Sequence, residues 1–334
     1  MALSDPDVVD DLEAEQDRLE AVLTGLSPAQ WIASSAAAGW SIADVVLHLA
    51  QTEEAVAATL SGEAEPANWR RFAGSVDDAM ARMVAAERDS PPTIFNRWRL
   101  ARRASVAGLR AADPARPVRW AVGTVKPRTL ATTRLAEHWA HALDIVTPLN
   151  LDYPDTARLR HIAWLGFTTL PYAFRLAGQH YTPITCDLTA PDGTHWHFGT
   201  PPTGGPARVP AADRPDRDPA AGRSDHDSAL GGADRGSAVD RADRDPAVGR
   251  SDHDSAPGGP DRRPAADRAH RDSAVGRPDR DPAADHAAGG TISGSAGAFC
   301  RVGARRLAPA ESGLRTSGPR AALALSLLRN YADV

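Results

Sequence analysis

"RLAEHWAHALDI", Arg134 to Ile145, decides how this chain is read. Its apolar residues recur with helical spacing, yet Glu137, His141 and Asp144 stand at i, i+4 and i+7, which places all three on one face of a helix. Leu130 and Arg134 continue that face upstream. A helix this apolar turns inward, and ionisable groups taken inward are costly unless they are paired or bind a metal. His138 lies off the stripe, and helical spacing gives it no role.

Outward from that helix, the first 150 residues read as a helical bundle. Leu12, Leu19, Val22, Leu23 and Leu26 form one stripe that ends at "GLSP". A second helix starts at Ser41, where "SIAD" supplies a capping hydroxyl and an acid three residues on, and runs to Gly62. "SVDDAMARMVAAERD" predicts a weaker helix, and "PPTIFNRWRLARRASVAGLRAA" a strong one with proline at its start. The last spans Arg128 to Val146 and stops before Pro148. Four principal amphipathic helices of this kind pack as a four-helix bundle.

From about Asp152 the pattern changes. "TARLRHIAWLGFTTLPYAFRLAG" is helical, "PITCDLTAPDGTHWHFG" alternates around a hairpin signal at Asp192 and Gly193, "GTISGSAGAFCRVGARRL" reads as strand into helix, and "PRAALALSLLRNYA" closes as a helix. Residues 151–202 and 289–334 therefore predict a small α+β domain. Between them, 203–288 is rich in Asp, Arg, Ala, Pro and Gly, and "DRDPAAGRSDHDSALGG" from Asp216 recurs as "DRDPAVGRSDHDSAPGG" from Asp243. A solenoid repeat must bring apolar residues to stack, and these bring almost none. The segment is expected to be a disordered, low-complexity insert extending a loop between two strands, where length costs little. Its "SDHD" pieces at His226 and His253 read as solvated sequence.

Composition narrows the class. In 334 residues, 42% hydrophobic, no run approaches the about 18 apolar residues of a membrane span. The acidic start lacks the basic and apolar regions of a signal peptide, so a cytoplasmic protein is expected. Two cysteines, Cys186 and Cys300, make neither a disulfide framework nor a CxxC. The formal net charge is -5, Lys126 is the single lysine, and the arginines are interspersed with acids, which argues against a nucleic-acid partner.

His48, among Val45, Leu49 and Thr52 of the second helix, also points inward. Bundles build metal sites from side chains on facing helices. Two imidazoles and one carboxylate suit zinc with a fourth position open, as in catalytic sites, and the same set as a facial triad suits iron(II) or nickel. Asp144 is better placed to accept from a ligand histidine than to act as a fourth ligand. The plainer reading keeps His48 as a core histidine and Glu137 with His141 as an i,i+4 pair. No GxSxG elbow, P-loop or dinucleotide fingerprint occurs. His195 and His197 share one strand face and read as an exposed edge. Arg305 and Arg306 either contact an anionic substrate, Arg305 being the candidate, or cap a helix C-terminus.

"GWSIADVVLHLAQTEE" followed by "RLAEHWAHALDI" resembles the DinB-like superfamily, specifically the mycothiol-dependent maleylpyruvate isomerase family. "TAPDGTHWHFGT" and "GTISGSAGAFCRVGARR" resemble a subgroup whose C-terminal domain is similar to sterol-carrier-protein modules. The resemblance implies zinc ligands at His48, Glu137 and His141, and mycothiol as thiol co-substrate. It also implies that a metal-activated thiolate adds to a small conjugated electrophile and then leaves, as in an isomerase, or stays, as in an S-transferase. His138 stands where the family pattern has a small residue. Two other functions fit the same residues: a thiol-independent enzyme using the metal as a Lewis acid in a biosynthetic pathway, and a non-catalytic metal- or ligand-binding module.

Overall fold

Caps and prolines set the helix boundaries. In the computed structural model, which describes residues 7–62, 75–120, 123–199 and 289–330, helix α1 (Val8–Thr24) starts where Asp7 accepts from the Val9 N–H and stops at Gly25. The insert expected at 203–288, with His226 and His253, lies outside the described residues. A one-turn helix, α2 (Pro28–Trp31), carries a Ser27/Gln30 capping box. Helix α3 (Ile42–Ser61) carries the Ser41/Asp44 box and ends at Gly62, whose φ of 83° lies in the left-handed region that favours glycine. Helix α4 (Val76–Ala86) follows, then α5 (Pro91–Ala111) and α6 (Pro127–Val146), both with proline in the first turn, where a missing N–H is harmless. The four long helices pack chiefly as α3 on α5 and α1 on α6.

Between α5 and α6 stands a short antiparallel hairpin, β1 (Val118–Trp120) and β2 (Gly123–Val125), which the sequence did not announce because three residues are too few to show a period of two. Helix α6 is buried almost all round, Leu130, Leu135, Trp139 and Ile145 included, so the ionisable side chains it takes inward need partners.

The α+β domain begins with α7 (Leu159–Leu176). A four-stranded sheet follows in the order β4-β3-β5-β6, built from β3 (Ile184–Thr189), β4 (His195–Phe198), β5 (Gly290–Ser295) and β6 (Arg315–Ser317). β3 and β5 are parallel, with Cys186 opposite Ile292, and the other pairs are antiparallel. Ile184, Cys186, Leu188 and Ile292 turn to the core with Phe174 of α7 and Phe299 of α8 (Ala296–Gly303). Each fully buried side chain of this size contributes roughly 1.5–3 kcal/mol. The closing helix α9 (Ala321–Leu327) is shorter than expected. One contiguous apolar cluster runs from the bundle into the sheet. No helix among the described residues is long and apolar enough to cross a membrane.

Candidate metal centre

The Ser41 cap fixes where α3 begins, and two turns later that helix delivers His48 to α6. There Glu137 Oε2 lies 3.3 Å from His141 Nε2 and 3.8 Å from His48 Nε2. One nitrogen or oxygen donor from each of the three lies within 4.8 Å of the others. Metal–ligand bonds of about 2.0–2.1 Å at tetrahedral angles put donors roughly 3.3–3.4 Å apart, so the two spacings to Glu137 are close to those around one small divalent cation, and the two histidine donors would draw in to complete the set. The donor set, two nitrogens and a carboxylate oxygen, also suits such an ion. Trp40 covers the imidazoles, its ring 5.1 Å from that of His48 and 6.5 Å from that of His141.

Electrostatics favour positive charge at this point. Burial drives the His48 pKa down to about 4, so its ring is neutral at pH 7 and has a lone pair to give. Burial opposes charge on Glu137, but the contacts from His141 and His48 outweigh it and hold the carboxyl well below its ordinary range. Burial also opposes charge on His141, and there Asp144 and Glu137 win and raise its pKa. The ring between two carboxylates attracts a cation, whether that is its own proton or a metal.

Asp144 behaves as a supporting acceptor. Its Oδ2 receives a hydrogen bond from His141 Nδ1 at 2.9 Å, which leaves Nε2 facing Glu137. Arg306 donates to both oxygens, Nε to Oδ1 at 3.0 Å and Nη2 to Oδ2 at 2.6 Å. Against the burial that would raise it, these partners hold the Asp144 pKa low. Arg306 thus makes the contact at the centre, and both it and Arg305, the latter exposed and at φ 58°, line an adjoining cavity of about 580 Å³ with Asp144, Thr147, Arg301 and Glu311. The sequence offered Arg305 of this doublet as the anion contact; the turn after α8 instead puts Arg306 on Asp144.

His138 finds its place away from this cluster. Its Nδ1 donates to the Arg134 carbonyl at 2.9 Å, and its Nε2 accepts from Trp98 Nε1 at 3.3 Å. Burial holds its pKa at about 4, so it is a neutral core histidine with both nitrogens used. Beside it lies a second buried cluster that sequence reasoning missed. Arg134 donates to Glu53 Oε1 and to Thr52 Oγ1, each at 2.7 Å, and Ser105 donates to the other Glu53 oxygen. The fully buried Glu53, in "QTEEAV", gave no signal beyond its helical position. On the sheet edge His197 pairs with Asp187, while His195 is exposed. Cys186 and Cys300 are buried free thiols, and burial pushes Cys186 up to about 12 and Cys300 higher still.

Residues 12–146 match the family model for the mycothiol maleylpyruvate isomerase N-terminal domain. An uncharacterized protein of Mycobacterium tuberculosis, found in two strains, is 34% identical over 198 residues, which is 57% of this chain and 76% of the relative. Two crystal structures of the mycothiol-dependent maleylpyruvate isomerase, one of them a mutant, align at 16% identity over 56% of this chain and 77% of theirs, with TM-scores of 0.43 and 0.41.

Proposed function

This chain belongs to the mycothiol-dependent maleylpyruvate isomerase family, and we propose that it is a zinc enzyme using mycothiol either to isomerise a small electrophile or, as an S-transferase, to add the intact thiol to it. His48, Glu137 and His141 hold the metal in this reading, and the observation that carries it is their convergence from two helices within 4.8 Å. Bound there, the cation lowers a thiol's pKa and so supplies a thiolate at neutral pH. The chain's own cysteines are buried with raised pKa values, so the thiol comes from a co-substrate.

The remaining residues bind and orient. Asp144 fixes the His141 ring, and Trp40 covers both imidazoles and keeps water from that side. Arg305, in the adjoining cavity, takes an anionic group of substrate or thiol. Residues 1–150 form the metal-binding domain, and 151–202 with 289–334 form the domain that walls this cavity. The protein works in the cytoplasm, where reduced cysteines and a low-molecular-weight thiol coexist.

The test is metal analysis of the purified chain with thiol consumption measured against conjugated electrophiles. Stoichiometric zinc and mycothiol-dependent turnover are expected. Zinc without any thiol binding or turnover overturns the thiol part and leaves a Lewis-acid enzyme. Coordination by four protein ligands, with no exchangeable position, turns the reading to a binding module.

A further inference from the structure

The bundle does not orient His141 unaided. Asp144, which receives the His141 Nδ1 hydrogen bond, is 2% exposed and is itself gripped by a side chain from the other domain. Arg306 stands 162 positions along the chain, just past the end of α8, and binds both Asp144 oxygens in the paired geometry that gives arginine its directional strength. The guanidinium is fixed from behind as well. Its Nη1 donates to the Ala304 carbonyl, and the Arg306 backbone N–H donates to the Arg301 carbonyl at 2.8 Å. The position of α8 therefore sets the position of Arg306, Arg306 sets Asp144, and Asp144 sets the imidazole.

We infer that Arg306 is a positioning residue through which docking of the α+β domain tightens the metal centre. The inference rests on the metal reading of His48, Glu137 and His141. Linkage makes it reciprocal: if docking through Arg306 raises metal affinity by some factor, metal tightens docking by the same factor. An ordinary interdomain salt bridge would stabilise the fold and leave metal affinity alone. The molecule contains such a bridge for comparison, Arg158 Nε to Glu15 Oε2 at 2.8 Å, which joins the start of α7 to α1 without touching Asp144.

The experiment uses the full chain. Zinc affinity is measured by competition with a chromophoric chelator for wild type, Arg306→Gln, Arg306→Lys, Asp144→Asn, the Asp144→Asn/Arg306→Gln double variant and Arg158→Gln. Amide exchange across α8 is followed with and without zinc. Outer-shell partners of this kind are worth about 10–100-fold in metal affinity. Arg306→Gln is expected to weaken zinc binding by about that much, with Arg306→Lys between it and wild type. The double variant falls short of the product of the single effects, and Arg158→Gln binds as wild type. Zinc slows exchange in α8 of the wild type and no longer does so in Arg306→Gln. A folded Arg306→Gln, or an Arg306→Lys if the former fails to fold, that binds zinc as wild type overturns the inference, as does α8 exchange indifferent to zinc. Wild-type protein that takes up no zinc breaks the metal reading instead, and with it this inference.

Discussion

Two buried clusters share α3 and α6, and both are built from histidine and glutamate. In the one around Glu53, every charge meets a partner supplied by the protein: Arg134 and Ser105 on Glu53, and the Arg134 carbonyl and Trp98 on His138. In the other, the Nε2 atoms of His48 and His141 turn toward the same Glu137 oxygen, and no basic side chain beyond those rings is bonded to it among the described contacts. Residue type does not separate the two, and burial separates them poorly. The difference is whether lone pairs are spent on protein donors or converge on one point. Such a convergence attracts a cation, either the His141 proton or a metal.

The sharpest way to break this contrast is to remove a donor. His48→Ala, Glu137→Ala and His141→Ala should each leave the purified chain without retained metal, by elemental analysis after desalting; three variants that keep full zinc would erase the distinction. Arg134→Ala acts on the other cluster. It strands the buried Glu53 charge and should cost about 3–5 kcal/mol in urea denaturation, while the protein that remains folded still retains its zinc. Loss of zinc without loss of stability would invert the assignment.

A subtler separation uses pH. His138 is kept neutral in the fold, with its pKa lowered from 6.5 to about 4 by burial. The unfolded chain binds that proton first, so the stabilising contribution is complete above about pH 6.5 and is lost as pH falls toward 4. The span amounts to about 3 kcal/mol. His48 acts in the same sense in metal-free protein, so the useful quantity is a difference. Metal-free His138→Gln should lose less stability than wild type between pH 7 and pH 4.5, by denaturant midpoints; equal slopes would mean that His138 is not held neutral. The smallest effect is expected at the sheet edge, where His197→Ala should change stability by no more than about 0.5 kcal/mol and leave metal content untouched.

Much of the scaffold was legible because its signals are local. The Ser41/Asp44 box, Gly62, Pro91 and Pro127 each fix a boundary through a neighbouring backbone group, and the structure puts the long helices where those residues imply. The i, i+4, i+7 stripe on α6 needed only helical geometry, and the structure brings Glu137, His141 and Asp144 together as that spacing implies. What escaped depends on distant contacts. His138 acquires its role from Trp98, and Glu53 from Arg134, partners on other helices. The sequence singled out Arg305 of the doublet, and the Arg306 contact with Asp144 emerges only from the backbone turn after α8. The strands β1, β2 and β6, three residues each, lack the length over which alternation can be recognised.

The parallel pairing of β3 with β5 has a kinetic consequence. Ile184 sits opposite Gly290, so the centre of the sheet joins segments that are remote along the chain, whereas α3 and α5 meet across a much shorter span. Contacts of long sequence separation form slowly, because the chain must lose its freedom before the contact repays it. The α3 and α5 amides should therefore gain protection early in refolding, and those of β3 and β5 late. The wall that carries Arg306, being attached to β5 through α8, arrives with the last part of the molecule to assemble.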